Sequence, residues 1–372
     1  MSKNIADQFV EILVKTGVKR IYAVTGDSLN FLNDAIKREG SIKWIHVRHE
    51  EVGAFAAAAE AELEGLAVCA GSSGPGHVHL INGLYEANRA NVPVLAIAST
   101  CESSEFGTSY FQETNTIKLF DDCSVYNQIA TTPEQAPRML QAALQHAISQ
   151  KGVAVLGVPG DLFEADSVKN ISSDMVFQTN PRMIPSEEET NWIADHLNSG
   201  KKVAIYCGIG ASEAHAEVID LAEKLNAPIG YSFRGKMGIQ YNNPYEVGMT
   251  GLLGLPSAFK AMHEADVILL LGTDFPYVKF MPVDKVIIQI DDKPERLGRR
   301  AQLTRGFAGK IKDSLINLLS LIKINDNREF LDKQLAFYEK VKHNLQSYVE
   351  DKGKENHISP EFVAETLNIK AN

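Results

Sequence analysis

The 372-residue sequence is 44% hydrophobic and 23% charged, the composition of a globular protein with room for two or three domains. Its formal net charge of -10, with Lys and Arg scattered along the chain, excludes binding to a nucleic acid backbone. No apolar run approaches the roughly 18 residues that a membrane-spanning helix needs. The chain starts directly with an amphipathic helical pattern rather than a signal peptide, so we predict a cytoplasmic protein.

The four cysteines are Cys69, Cys101, Cys123 and Cys207, and they form no C-x-x-C pair. Most of them lie in or beside strand-like runs, a position typical of buried thiols. We therefore expect free cysteines rather than a zinc site or disulfides.

Helical and strand-like patterns alternate through the first half of the chain. Such alternation predicts a parallel sheet covered by helices. The predicted helices are 4–15, 28–38, 51–64, 77–89 and 133–149, and the predicted strands are 21–24, 42–47, 66–70, 92–98 and 153–158.

A second alternating series follows a stretch rich in Ser, Asp, Asn and Pro. Its predicted helices are 187–198, 212–225 and 311–323, and its predicted strands are 203–206, 265–271 and 286–290. The fold class is thus predicted to be α/β with two doubly wound parallel-sheet domains, 1–162 and 187–325, joined by a linker at 163–186. Residues 326–372 are predicted to form a helical segment.

Doubly wound sheets bind ligands at the carboxyl ends of their strands. In the first domain those ends carry Thr25-Gly26-Asp27, the loop 71–76 and the segment 99–112. The loop 71–76 is rich in glycine but lacks the Lys-Ser/Thr of a phosphate-binding loop. By itself it indicates only that something approaches the backbone closely.

Glu50 stands at the same edge, where a strand gives way to an alanine-rich helix. A carboxylate in this position can give or take a proton, although acids also cap first turns without any further role. Val52, Phe55, Ala56 and Ala59 follow the spacing of one helical face, and we expect them to form the apolar face of the helix.

In the second domain, Gly208 and Gly210 lie between a strand and a helix, as in half of a dinucleotide-binding fingerprint, with Glu213 in place of the third glycine. Asp291 and Asp292 follow another strand and could accept ribose hydroxyls. Glycines also turn chains and acids also end strands, so the pattern leaves a structural role open.

Longer runs in both halves of the chain match a single family. In the first half they are 18–21, 24–30, 48–51, 74–76, 80–84 and 110–113, and in the second half 234–236, 243–245, 247–252, 271–277 and 288–291. Through these runs the chain resembles the thiamine diphosphate and FAD dependent pyruvate oxidases, most closely the bacterial pyruvate:quinone type. The related acetolactate synthases share the fold and the glutamate.

The resemblance implies that Glu50 hydrogen-bonds the aminopyrimidine ring of thiamine diphosphate and favours the form that removes the thiazolium C2 proton. Phe111 and Gln112 would lie where substrate and flavin meet, although Phe111 could equally be a loop aromatic packed on its domain. Pyruvate would be oxidised to acetate and carbon dioxide, with electrons passing through FAD to a membrane quinone. The residues implied in the thiamine pocket are Gly26, Asp27, Gly74, Pro75, Gly76 and Asn82.

The same resemblance implies that the second domain holds FAD, with Asp291 toward the ribose and adenine end. The other residues implied in FAD binding are Gly208, Gly210, Arg234, Thr250, Gly251, Leu252, Leu253, Thr273, Asp274, Phe275, Pro276 and Tyr277.

Family members hold the diphosphate and its magnesium through a Gly-Asp-Gly motif in a third domain, and this sequence contains no Gly-Asp-Gly. We find no replacement set of oxygen ligands for magnesium. We therefore expect a truncated form that is inactive alone and forms a homodimer or homotetramer, the full-length form being peripheral at the inner membrane. The alternatives are a non-catalytic FAD-binding or oligomerisation module and a relative similar to pyruvate oxidase or acetolactate synthase.

Overall fold

The computed structural model describes residues 3–169, 175–179, 181–350 and 358–371. The chain divides into two compact units, Met1–Asn180 and Pro181–Asn372. Over the described residues each unit contains one six-stranded parallel sheet with helices around it, so the predicted α/β fold with two parallel sheets is confirmed.

The first unit alternates strands and helices along the chain. Its elements are α1 (Ile5–Lys15), β1 (Arg20–Ala23), α2 (Asn30–Glu39), β2 (Lys43–His46), α3 (Glu50–Glu64), β3 (Ala67–Gly71), α4 (Pro75–Val78), α5 (Ile81–Ala90), β4 (Val94–Thr100), α6 (Thr116–Phe120), β5 (Tyr126–Ile129), α7 (Ala136–Gln150), β6 (Val153–Pro159) and α8 (Gly160–Glu164). The strand order is β2-β1-β3-β4-β6-β5. From β1 the chain first adds β2 on one side and then crosses to add β3 on the other side, so the strand order reverses between β1 and β3. Ligands of doubly wound folds bind at such a switch point.

Small side chains let α3 lie close to α5 and to the sheet. A Cβ on Gly83 of α5 would lie 2.4 Å from the Ala54 Cβ, and a Cβ on Gly53 would lie 3.3 Å from the Tyr22 carbonyl oxygen of β1. The residues that α3 buries are Glu50, Gly53, Ala54, Ala57, Ala58 and Ala61. This close packing fixes the start of α3, and with it Glu50, at the carboxyl edge of the sheet.

The face of α3 predicted to be the apolar, core-facing one is instead the outer face. Val52 is 54% exposed and Phe55 is 42% exposed, and Ala59 is exposed as well. The prediction was wrong because larger side chains do not fit where α3 approaches α5 this closely, so the helix buries its glycine and alanine positions.

The second unit has the strand order β12-β11-β10-β7-β8-β9, with its switch point between β7 and β10. The loops after these two strands therefore meet at the carboxyl edge. The elements are α9 (Glu187–Leu197), β7 (Val203–Cys207), α10 (His215–Leu225), β8 (Ile229–Tyr231), α11 (Lys236–Ile239), β9 (Glu246–Met249), α12 (Pro256–Glu264), β10 (Val267–Leu271), β11 (Val286–Asp291), β12 (Arg305–Ala308), α13 (Ile311–Leu319), α14 (Glu329–Glu350) and α15 (Pro360–Lys370).

Several elements depart from the predicted boundaries. The predicted helix 77–89 is divided into α4 and α5, and the predicted helix 28–38 begins with a 3-10 turn, Asp27–Leu29. The predicted linker contains the end of α8, and its residues 170–174 and 180 lie outside the described residues. All four cysteines are buried and free, as expected. Among the described helices, none combines the length and the apolar character needed to cross a lipid bilayer.

Candidate active site

The loops after β1 and β3 interlock at the switch point of the first sheet. A Cβ on Gly26 would lie 2.4 Å from the Ser72 Cβ, so glycine is what allows the two loops to touch. The Ser73 N–H donates to Ser28 Oγ at 2.9 Å. Gly26 and the 74–76 turn are thus brought to one place, while Asp27 is exposed beside them.

Glu50 is the first residue of α3 and only 8% of it is exposed. Its carboxyl group therefore lies at the positive end of the helix dipole. His79, just after α4, places Nδ1 3.0 Å from Glu50 Oε2, while no described residue donates to Oε1. A Cβ on Gly76 would lie 3.5 Å from Oε1, so the glycine keeps the space in front of that oxygen open.

Two histidines flank the Glu50 carboxylate. The His49 ring stacks on the His79 ring with centroids 4.4 Å apart, and its Nδ1 accepts the Glu51 N–H at the start of α3. Within the described residues, His49, Glu50 and His79 form a group whose ligand atoms lie within 4.8 Å of one another. Two imidazoles and one carboxylate are not the oxygen set that magnesium prefers.

Asn82, predicted in the thiamine pocket, is exposed and donates its amide N–H to Glu51 Oε1 at 2.7 Å. Glu51 and Asn82 therefore link the exposed sides of α3 and α5. The structure does not bring Asn82 into contact with Glu50.

The segment after β4 carries Gln112 to the 74–76 turn, with Phe111 beside it in the chain. Ser73 Oγ donates to Gln112 Oε1 at 2.9 Å, and a Cβ on Gly74 would lie 2.7 Å from the Gln112 Cβ. Gln112 has a φ of 64°, a left-handed conformation that costs a non-glycine residue energy. Phe111 is 77% exposed, so it is not packed on its own unit.

His77 lies in α4, fully buried between the turn and this segment. Its Nδ1 lies 2.8 Å from the Ser99 carbonyl oxygen, and its Nε2 contacts Thr114 Oγ1. Burial lowers the pKa of His77, which favours the neutral ring, although the backbone at Ser99 and Ser72 acts in the opposite direction. Because a carbonyl oxygen can only accept, the hydrogen of the neutral ring is on Nδ1 and the Thr114 hydroxyl donates to Nε2.

In the second unit, Gly208 and Gly210 pack one switch-point loop against the other. A Cβ on Gly208 would lie 2.2 Å from the Gly272 carbonyl oxygen, and a Cβ on Gly210 would lie 2.9 Å from the Gly272 Cα. Their N–H groups donate to the carbonyl oxygens of Leu271 and Gly272 at 2.8 and 3.0 Å. These two N–H groups are therefore engaged within the protein and not directed at a pyrophosphate.

Two other predicted FAD segments meet beyond the sheet edge. Gly251, with a φ of 117°, would place a Cβ 3.1 Å from the Phe275 ring and 3.2 Å from the Tyr277 ring, so the segment after β9 touches the loop after β10. Thr250 and Phe275 are buried. The remaining predicted members are exposed, namely Arg234, Leu252, Leu253 and Pro276.

Two buried polar atoms at the carboxyl edge of the second sheet have no hydrogen-bond partner among the described residues. They are Thr273 Oγ1, after β10, and Asp291 Oδ2, at the end of the adjacent strand β11. Burial raises the pKa of Asp291 to about 6, although Asp291 Oδ1 accepts the Lys293 N–H at 3.0 Å. The neighbouring Asp274 is held by Arg299 and Arg300 at 3.4 and 3.2 Å.

These observations test which cofactors the residues fit. The open side of Glu50 Oε1 fits a ring nitrogen that shares a proton with it, as thiamine presents. The unpartnered oxygens of Thr273 and Asp291 fit a hydroxyl-rich ligand such as the ribose of a dinucleotide. In the described part of the chain, no cluster of oxygen ligands fits magnesium.

Sequence reasoning missed the partners of the central residues. The contacts of His79 with Glu50, of His77 with Thr114 and of Ser73 with Gln112 were not predicted. These contacts join residues 29 to 39 positions apart, which no local spacing indicates. The glycines Gly26 and Gly76 were the sequence signal that the backbone comes close here.

Two family models match the chain. Residues 3–119 match the model described as thiamine pyrophosphate enzyme, N-terminal TPP binding domain. Residues 190–318 match the model described as thiamine pyrophosphate enzyme, central domain. The first match contains Glu50, His79 and Gln112, and the second contains Thr273 and Asp291.

Three similar proteins show how widely the match extends. An uncharacterized 42.6 kDa protein of Pseudomonas amyloderamosa is 47% identical over 92% of this chain and 87% of its own length. The pyruvate oxidase of Lactiplantibacillus plantarum is 31% identical over 88% of this chain, and the acetolactate synthase isozyme 1 large subunit of Escherichia coli is 27% identical over 87%. The chain spans only 55% and 59% of these two enzymes. With both family models matched in chain order on two parallel-sheet units, the chain belongs to the thiamine pyrophosphate-dependent enzyme family.

Proposed function

We propose that this chain supplies the glutamate half of a thiamine diphosphate site and the FAD-binding unit of an enzyme that oxidises pyruvate to acetate and carbon dioxide. Electrons would pass through FAD to a quinone, and the chain would assemble as a homodimer or homotetramer. The observation that carries the proposal is Glu50, buried at the start of α3 with one carboxylate oxygen open toward Gly76. The similarity to pyruvate oxidase supports the substrate.

When bound, thiamine diphosphate would supply the electron sink that stabilises negative charge at the former carbonyl carbon of a 2-oxo acid when carbon dioxide leaves. The chain's own contribution is to hold and move a proton at Glu50 Oε1. His79 fixes the other oxygen, Oε2, at 3.0 Å and so sets the direction in which Oε1 points. Gln112, tied to Ser73, stands over the turn where a substrate would reach the site.

FAD binding by the second unit is supported by Thr273 Oγ1 and Asp291 Oδ2. A buried polar atom without a partner costs about 1–3 kcal/mol, which a ligand hydroxyl would recover. The two atoms lie at the carboxyl ends of neighbouring strands, where a dinucleotide ribose binds in this sheet topology.

A second candidate is condensation of two pyruvate molecules, because the acetolactate synthase of Escherichia coli is also similar to this chain. The two reactions differ in their products. Oxidation gives acetate and reduced flavin, whereas condensation gives acetolactate and leaves the flavin oxidised.

The proposal is tested by the visible spectrum of the purified chain, recorded anaerobically with FAD, thiamine diphosphate and magnesium, before and after addition of pyruvate. With thiamine diphosphate no more concentrated than the chain, we expect bound flavin bands that persist after pyruvate is added, because the sequence contains no Gly-Asp-Gly to hold the diphosphate and the half-site around Glu50 binds the cofactor only weakly. No bound flavin would contradict the assignment of the second unit.

Bleaching of the flavin bands with formation of acetate would support pyruvate oxidation. It would contradict the expectation that the chain holds only half of the thiamine site. Acetolactate formed without bleaching would favour the second candidate. A chain that binds flavin but gains no affinity for thiamine diphosphate from Glu50 would be a non-catalytic flavin module.

A further inference from the structure

The segment 101–114, which carries Phe111 and Gln112, lacks an apolar anchor at its tip. Phe111 is 77% exposed and Gln112 adopts a left-handed backbone conformation. Apolar burial therefore does not hold these residues where they are, and polar contacts have to offset the cost of the strained backbone.

Three sets of polar contacts hold the segment: one at its start, one within its tip and one that joins it to the turn beside Glu50. At its start, the Ser103 N–H and hydroxyl donate to the Asp161 carboxylate at 2.9 and 2.6 Å. Within the tip, the Gly107 and Tyr110 N–H groups donate to Glu113 at 2.6 and 3.2 Å. These contacts shape the segment but do not join it to the turn beside Glu50.

The joining contacts are Ser73 to Gln112, which is exposed, and His77 to Thr114, in which His77 is fully buried. The buried contact is the stronger of the two, because a hydrogen bond gains strength where water is excluded. The His77 ring cannot turn away, since its Nδ1 donates to the Ser99 carbonyl at the end of β4 and its edge packs on Phe120.

We propose that His77 is a positioning residue, which through Thr114 holds Phe111 and Gln112 over the 74–76 turn. It touches neither Glu50 nor a cofactor site directly, and it acts by fixing the base of the segment two residues after Gln112. The inference rests on the proposed function insofar as Phe111 and Gln112 serve the reaction. The hydrogen bond between His77 and Thr114, called the tie below, is a property of the chain alone.

The test is amide hydrogen exchange of residues 107–115 in the native chain and in the variants Thr114→Val, Thr114→Ser and His77→Asn. Valine keeps the shape of threonine without its hydroxyl, whereas serine keeps the hydroxyl. Asparagine keeps a donor toward the Ser99 carbonyl but does not reach Thr114. Loss of one hydrogen bond corresponds to about a tenfold change, so we expect about tenfold faster exchange in Thr114→Val and His77→Asn and near-native exchange in Thr114→Ser.

The double variant His77→Asn with Thr114→Val separates the tie from a general loss of structure. If the two side chains act through one contact, the double variant exchanges no faster than either single variant. Native-like protection in Thr114→Val, failure of Thr114→Ser to restore protection, or additive effects in the double variant would overturn the tie. Thr114 is half-buried, so Thr114→Val tests the tie even if His77→Asn does not fold.

A second measurement distinguishes failure of the tie from failure of the proposed function. Thiamine diphosphate with magnesium should further protect residues 107–115 in the native chain and Thr114→Ser, and less so in Thr114→Val. Equal protection in all three would overturn the positioning role. No protection anywhere, with the tie intact, would count against the proposed thiamine site.

Discussion

Asp291 is a carboxyl of the second unit whose chemistry is strongly affected by its burial. Only 1% of it is exposed, and its Oδ2 meets no described hydrogen-bond donor. A carboxyl whose pKa rises from 3.8 to about 6 on folding costs the folded state about 3 kcal/mol once it ionises. A buried carboxyl that destabilises the fold in this way is typical of a binding site, where a ligand hydroxyl supplies the hydrogen-bond donor that Oδ2 lacks.

Replacing Asp291 with Asn should make the free chain more stable at neutral pH and weaken its binding of FAD. Because folding raises the pKa of Asp291, its contribution to stability is fully present below 3.8 and is lost as the pH rises through about 6. The advantage of Asp291→Asn over the native chain in free energy of unfolding should therefore grow by about 1–2 kcal/mol between about pH 5 and about pH 8. Urea unfolding at the two pH values measures this.

Glu295→Gln is the matched control, because Glu295 is an exposed carboxyl on the same stretch of chain and does not contribute to the raised pKa of Asp291. Its stability should stay within about 0.5 kcal/mol of the native value at both pH values. A pH-independent difference between Asp291→Asn and the native chain, or unchanged FAD affinity, would contradict this account of the residue.

At the scale of elements, the approach of α5 to α3 depends on Gly83. An alanine Cβ there would lie 2.4 Å from the Ala54 Cβ and 2.6 Å from the Phe55 backbone nitrogen, which cannot move aside. Alanine normally favours a helix over glycine by about 1 kcal/mol, but forcing the two helices apart costs about 1–3 kcal/mol. We expect Gly83→Ala to be destabilising in chemical unfolding and to displace Glu50, weakening thiamine diphosphate binding.

The control for Gly83→Ala is Glu86→Ala, an exposed position on the same helix. It should change the free energy of unfolding by no more than about 0.5 kcal/mol. A stabilised Gly83→Ala variant would mean that α3 and α5 are free to separate and that their packing does not fix Glu50.

Strands that are buried on both faces were predicted most completely. Strands such as β4, β6 and β10 are continuous apolar runs and were predicted nearly in full. The strands that were missed were β5, β8, β9 and β12, which are short and either partly exposed or interrupted by glycine, so they show no apolar run.

The residues of the candidate site also fall into those that local sequence predicts and those that it does not. Glu50 and the 74–76 turn follow from local sequence, because a helix start and a glycine turn are local features. The outer face of α3 was assigned wrongly because periodicity identifies an apolar stripe but not the volume available to it. His79, His77 and Thr114 depend on how the loops are brought together, which only the structure shows.

At the scale of the whole molecule, each unit carries its own core and its own switch-point edge. The first unit contributes a carboxylate with an open oxygen, and the second contributes unpartnered oxygens suited to a dinucleotide. Each sheet therefore carries a feature suited to one cofactor of the proposed function. The family match assigns both sheets to thiamine pyrophosphate enzymes.

The central claim is that Glu50 activates thiamine diphosphate, and it is tested by the rate at which the C2 hydrogen of the cofactor exchanges with deuterium. We would follow this rate by proton NMR with excess magnesium in the native chain, in Glu50→Gln and in Glu51→Gln, the control at the more exposed neighbour. With the cofactor in large excess, so that the half-site is filled despite its weak affinity, the account predicts acceleration over the free cofactor by about 100-fold or more, lost in Glu50→Gln and kept in Glu51→Gln. No acceleration by the native chain, or equal acceleration by Glu50→Gln, would contradict it.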